Sequence, residues 1–557
     1  MKTKIIVFIV LGFSWLFAQQ KSYYDSLYYS FMKVNSHLLE KESGEGTVKC
    51  SFSINGLVKV NFNKFTREQQ GQIAKILTRP EKQISVVSPS GYFRVHYDTT
   101  GSDKLTYDIN ELLIALDSSY NFEVNFLKYK VPPSDGTAGG DGKYDVYVND
   151  LGSNGHGSYG STKFEDLLAG NKYTSYMEID NDYLGYNTPG IDGARVTVAH
   201  EFHHAIQIGS YIYRDADNPF YEMTSTSMED FVYNSINDYF NYLNDYFNSP
   251  DHSIYGYDGY SLGIWNIYLK LRFDDYDIIR RQWELMPQMR ALDAIEQSLI
   301  SYESNYKHEL NQFGVWCYFT NYRAVSGKYF PEAKYYPVIS PMATLKLINR
   351  SLTANLSSEA AANSYFCIKD STTNDSLFVV ATNSNVRTAV DSSASYIPFA
   401  YTASRDSSYG SVRLSSNLFA NFQYSDPYHW TVAEILNRQI VRQDNTSNPS
   451  TNNVIGDYPF PNPFYYSKNY GGGNFICLPA SKTSSGFASL NVYSSGMDLV
   501  YSAKTQVVQF PGTTDKFVVQ WDGKTFTGKK LASGVYIYIV KSDDNNSKGR
   551  LVIFNGK

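Results

Sequence analysis

Residues 196–211 read VTVAHEFHHAIQIGSY. Three histidines and a glutamate fall within five positions, framed on both sides by apolar residues. Apolar flanks of this kind belong to a buried helix beneath a cleft rather than to a solvated one. The chain must therefore fold around side chains that are costly to bury unless hydrogen-bonded or bound to a metal. In a helix each residue advances about 100°, so His200 and His204 present two imidazoles on one face, one turn apart. Glu201 stands to the side of that face. The bland alternative is a pair of core histidines satisfied by hydrogen bonds.

The arrangement H-E-x-x-H is the zinc-hydrolase signature, in which two nitrogens take the metal and the carboxylate acts as general base towards water. On this reading His203 is a packing or hydrogen-bonding residue, since using it as a ligand would cost Glu201 its position. A catalytic zinc takes three protein ligands and keeps one position open. The next acidic segment is DNPFYEMTSTSMEDF. Asn218 is a good N-cap and Pro219 suits the first helical position, so a new helix is expected there. Glu222 falls one turn in, and Glu229 lies seven residues later on nearly the same face. The small residues Thr224 to Ser227 would let this helix approach the histidine helix. Asp215 and Asp217, as turn formers before the cap, are poorer candidates.

HEFHH followed by Glu222 resembles the gluzincin metallopeptidases of the thermolysin and M1-aminopeptidase type. Seventeen residues separate His204 from Glu222, slightly fewer than in those relatives. The resemblance implies Glu222 as third ligand and Glu229 as a supporting acid behind the metal, although Met223 departs from the M1 pattern. An ordinary helix-surface carboxylate is the other reading of Glu229. The wider segment, roughly residues 85 to 300, is similar to secreted bacterial metalloproteases of this kind. In such enzymes the strand before the active-site helix lines the cleft and pairs with extended substrate, which points to TSYMEIDND. Gluzincins also use a downstream tyrosine to stabilise the oxyanion. Among Tyr255, Tyr257 and Tyr260, the spacing of Tyr260 to Gly263 is like the M1 pattern and selects Tyr260. The M1 element that anchors a free amine is not apparent, which counts against an aminopeptidase.

The rest of the chain sets the frame. At 557 residues with 42% hydrophobic content, three or four domains with real cores are expected. The net charge of −6 forms no basic stripe, so nucleic acid is not an expected partner. Forty-nine tyrosines, with abundant Asn, Ser and Gly, suit an extracellular, β-rich protein. Lys2 and Lys4 before IIVFIVLGFSWLF, with Ala18 ahead of Gln19, read as a signal peptide. The apolar run is too short to span a membrane, and the mature chain is expected to be exported and soluble, with no transmembrane segment. Four cysteines (Cys50, Cys317, Cys367, Cys477) lack CxxC spacing. Disulfides or free buried thiols are their ordinary fates. Cys50, upstream of the histidine helix, has the further option of a thiolate ligand in a latent precursor, ranked below those two. Asp135, Asp141 and Asp145, or Asp180 and Asp182, lie in loops that could hold Ca2+, but ordinary turn chemistry explains both and calcium is the minority reading.

The expected organisation is a signal peptide (1–18), an N-terminal subdomain or pro-region (19–87), an α+β zincin-like metalloprotease domain (88–342), a β-sandwich (343–442), a polar linker (443–453) and an Ig-like β-sandwich (454–557). Within the last, DYPFPNPF, LNVYSSG, WDGKTFTGKKLASGVYIYIV and GRLVIF resemble the type A sorting domain of the type IX secretion system. Turns are expected at Asn491–Gly496 and Asp522-Gly523. That resemblance implies transit through the periplasm of a Gram-negative-type bacterium, engagement of outer-membrane secretion machinery, and a secreted or cell-surface location. The functional expectation is a zinc (Zn2+) endopeptidase acting on proteins or peptides. His200, His204 and Glu222 would hold the metal, Glu201 would act as base and Tyr260 would assist. The competing expectation is a non-catalytic surface adhesin with a structural metal.

Overall fold

The computed structural model describes residues 21–35, 48–152, 157–349, 351–371, 376–390, 396–406, 413–420 and 430–436. Towards the C-terminus it describes 459, 464–466, 475–480, 486–494, 499–509, 517–525, 528–542 and 546–555. The expected signal peptide and polar linker lie outside these residues. The chain divides into two compact units, Met1–Val441 and Arg442–Lys557. It is a mixed α/β protein with several separate sheets.

The first unit is built on a six-stranded sheet of β1 (Val48–Cys50), β2 (Ile84–Val87), β3 (Phe93–Tyr97), β4 (Tyr144–Asn149), β5 (Ser158–Leu168) and β6 (Lys172–Asp180), in the order β1-β5-β6-β4-β3-β2. The β4 neighbours run parallel to it, whereas β5 and β6 are antiparallel. One expectation is corrected here. β6, which holds TSYMEIDND, is paired on both sides from Met177 to Ile179, by β5 and β4, so that stretch of backbone cannot receive a substrate strand. β5 stands next to the site and was not legible: SYGSTKFEDLL lacks clean alternation, and its buried half includes Ser158, Ser161, Thr162 and Lys163. Its outer edge carries β1 in parallel, with Val48 opposite Ser158 and Cys50 opposite Gly160.

Helices cover this sheet. α1 (21–34), α2 (Phe52–Val60) and α3 (Arg67–Ile76) share a small core of Leu27, Phe31, Val58, Phe65, Ile73 and Ile76. α4 (Ile109–Tyr120) is capped by Asp108, whose carboxylate accepts from the Asn110 N–H at 2.8 Å. α5 (Gly190–Ile206) carries the histidines and lies under β5 and β6. Phe202 anchors it among Phe93, Tyr120 and Tyr144. α6 (Asn218–Val232) starts with Asn218 already helical, one residue earlier than the expected cap. Its small residues serve two neighbours: Ser225 meets His204, and Thr226 packs on Gly263 at the start of α7 (Gly263–Phe273).

Farther along, β7 (Ala343–Leu347), β9 (Ala362–Asp370), β10 (Ser376–Asn383) and β13 (Trp430–Leu436) form a four-stranded sheet, and β8 (Ser351–Ser358), β11 (Ile397–Asp406) and β12 (Arg413–Ala420) a three-stranded one. Leu347, Phe366, Val379, Phe399 and Tyr401 from both sheets join one apolar cluster. The helix Tyr306–Tyr318 docks on the larger sheet, with the Tyr365 hydroxyl donating to the Gly314 carbonyl at 3.0 Å. The second unit is one seven-stranded sheet around a core of Leu490, Val492, Val519, Trp521, Val540 and Leu551. Its strand Gly486–Ser494 has a register shift between Val492 and Tyr493, the kind of irregularity that bends a strand. Asn491–Ser494 are strand rather than the expected turn, while Gly523 has the positive φ (74°) of a turn.

Candidate metal centre

Two local features fix the histidines. α5 ends in a wider turn over Gln207–Tyr211, which brings the Gln207 side chain back beside His204. Its amide nitrogen donates to the Tyr221 carbonyl at 3.0 Å, so its oxygen must face His204 Nδ1, 2.7 Å away. The His204 proton therefore sits on Nδ1. At His200, Nδ1 lies 2.8 Å from Glu229 Oε1, an acceptor, and again Nδ1 donates. In the neutral form of each ring, Nε2 would present its lone pair.

Those lone pairs converge. His200 Nε2 and His204 Nε2 are 3.1 Å apart, and Glu222 Oε2 lies 3.1 Å from the first and 3.2 Å from the second. Three such acceptors facing one another could hold a cation. The spacing suits zinc, because donors each about 2.0–2.1 Å from a shared tetrahedral centre stand roughly 3.3 Å apart. All three residues are buried. In the protein alone the same convergence draws in a proton: burial opposes it, yet hydrogen bonds to Glu222 and Glu229 raise His200 to about 9. Burial likewise works against ionisation of Glu222, and the two histidines hold it down at about 2.

A second layer of charge supports the first. Glu229 accepts from Lys49 Nζ at 2.9 Å, and Lys49 also pairs with Asp238. Despite burial, Asp238 and Glu229 hold the Lys49 ammonium well above its usual range. Glu229 is thus no surface carboxylate but the link between His200 and a buried cation. Sequence reasoning missed Lys49 and Asp238, which lie far from the motif in sequence. A lysine next to Cys50 carried no signal of its own.

The other expected residues are placed as follows. Glu201 is buried, and the Thr162 hydroxyl lies 2.8 Å from both its Oε2 and its backbone oxygen. β5 approaches this closely because of Gly160, where a Cβ would sit 2.5 Å from Thr197 Cγ2 and 3.0 Å from Glu201 Cγ. The Tyr260 ring is 6.1 Å from that of His200, and its hydroxyl donates to the Cys50 carbonyl at 3.2 Å. Tyr255 and Tyr257 turn elsewhere, to Asp217 and to the Ser249 carbonyl. Asp217 itself pairs with Arg214 and Arg290. His203 points away from the histidine pair to Glu123, 2.7 Å from its Nδ1. Burial pushes the Glu123 carboxyl up and the His203 imidazole down, which favours the neutral form of both.

The cysteines do not pair: all four are free. Cys50 instead joins His200, His204 and Glu222, with one donor atom from each residue lying within 4.8 Å of the others. Around it, the Phe52 ring stacks on His204 at 3.9 Å and 4°, and Ser53 Oγ donates to Glu222 Oε1 at 3.0 Å. The acidic loops offered for calcium are committed elsewhere. Asp135 and Asp145 pair with Arg79, and Asp141 with Arg94 and Lys143. Asp180 and Asp182 accept backbone N–H groups of their own turns.

No family model matches the chain, and no curated protein matches it. Among solved structures, one similar chain is PorZ, described as an essential bacterial surface component of the type IX secretion system of Porphyromonas gingivalis. The likeness has 13% identity over 33% of this chain and 29% of that one, with a TM-score of 0.13. It carries no argument about fold or function. Among the described residues, no helix is long and apolar enough to cross a membrane.

Proposed function

We propose that this protein is an exported zinc-dependent endopeptidase. The first unit would supply a zincin-like catalytic body with a β-sandwich behind it, and the second unit an Ig-like sorting domain. The convergence of His200 Nε2, His204 Nε2 and Glu222 Oε2 supports this reading, with Glu201 one residue along the same helix. Zinc held there would polarise a peptide carbonyl and make water acidic enough to lose a proton near neutral pH. Glu201 would take that proton and pass it to the leaving amine, with Thr162 fixing the rotamer of its carboxylate. Tyr260 would donate its hydroxyl hydrogen bond to the carbonyl oxygen as negative charge develops there. Secretion machinery and protein or peptide substrates are the partners this assignment carries.

A second reading is favoured by one observation. Cys50 brings the number of potential ligands to four, and a fully protein-filled set is how structural zinc is held. A non-catalytic adhesin would need that set but would have no use for Glu201 or Tyr260. Zinc content and casein cleavage, measured on the parent and on Glu201→Gln before and after proteolytic trimming of residues 19–87, separate the two. One zinc in both proteins, with cleavage by the trimmed parent alone and loss on chelation, is the expected result. Equal inertness of both trimmed proteins while zinc is retained gives the structural reading.

A further inference from the structure

We propose that residues 48–60 are a built-in stopper, in which the Cys50 thiolate is the fourth zinc ligand and keeps water from the metal until the segment departs. This inference rests on the site being the metal centre of a peptidase, and concerns its regulation. Four contacts carry it, each taking something the chemistry would need. Cys50 belongs to the donor cluster with His200, His204 and Glu222. Its carbonyl occupies the Tyr260 hydroxyl, at 3.2 Å. Phe52 covers the face of His204, and Ser53 holds the second oxygen of Glu222.

The backbone agrees with the side chains. β1 lies along the outer edge of β5, where an extended peptide would be expected to add a strand. The thiol enters as thiolate, its proton released to solvent as zinc binds. Between the stopper and the rest of the sheet, Lys64, Arg67 and Lys75 are exposed on the surface. Cleavage after any of them by a trypsin-like protease would cut the covalent tie between α2 and β2.

The test replaces zinc with Co2+ in the full chain and reads the near-ultraviolet thiolate-to-cobalt charge-transfer absorption. Alkylation of Cys50 by iodoacetamide is followed in parallel, with and without chelator. We expect one bound cobalt with the charge-transfer band, absent from Cys50→Ala and Cys50→Ser at equal metal content, and Cys50 protected from alkylation until the metal is removed. Casein cleavage by the zinc form should rise at least tenfold in either variant, or in the parent after trypsin cuts at Lys64, Arg67 or Lys75. The parent spectrum is read without a variant, so a folding failure does not decide it. One cobalt bound without the band, and Cys50 alkylated at the same rate with or without chelator, overturns the proposal and leaves the metal centre standing. A band with no cleavage by variants or trimmed parent supports the thiolate ligand and overturns the peptidase reading and the stopper role. No metal bound at all overturns the metal centre and the stopper together.

Discussion

At the scale of single residues, the hydrogen bonds behind the proposed ligands decide what those side chains can do. Glu229 takes the Nδ1 proton of His200 and the Lys49 ammonium at once. Glu229→Gln should lower zinc affinity by about 10–100-fold, the usual cost of losing a carboxylate behind a ligating histidine. It should also destabilise the fold by a few kcal/mol, because a buried ammonium loses one of its two counter-charges. Competition against a chromophoric chelator and a denaturation curve measure the two effects. An unchanged affinity would mean that Glu229 only packs. His200, His204 and Glu222 were legible in the sequence because i, i+4 spacing and one following helix bring them together locally. Lys49 was not, because its role exists only once a distant strand has paired with the sheet.

At the scale of elements, close approach is what builds the site. Gly259 has φ 112°, in the left-handed region, and a Cβ there would meet the Pro219 carbonyl oxygen at 2.2 Å and Glu222 Cβ at 2.8 Å. The loop before α7 therefore lies directly against the first turn of α6. Gly259→Ala combines positive φ for a residue with a Cβ and collision with backbone. Its expected outcome is a loss of several degrees in melting temperature and weaker zinc binding through a displaced Glu222. A variant with parental melting and affinity would show that the loop yields freely. Helices α4, α5 and α6 and strands β3, β4 and β6 follow the sequence periodicity. β5 does not, because Gly160, Thr162 and Lys163 are chosen for contact with α5 and with the N-terminal residues rather than for alternation.

At the scale of the whole molecule, the two units have separate cores. A chain ending at Val441 should bind one zinc ion as tightly as the parent, and melt within about 2 °C of the matching transition in the full chain, a shift too small to signify a lost core. Calorimetry with zinc titration checks this, and failure to bind metal would make the second unit part of the folding unit. The division into an α/β body and short-stranded C-terminal units followed from the change of texture along the sequence. That β1 joins the same sheet did not, since strand pairing across a hundred residues leaves no local periodic trace.

The edge position of β1 has one more consequence. A sheet that gives up its outermost strand leaves a row of N–H and C=O groups open to any extended chain, a property that favours self-association as readily as recognition. While β1 is seated, the protein carries that edge already paired. On the proposed stopper reading, the sealed form resists self-association, and the open edge would come into being only where residues 48–60 are cut away.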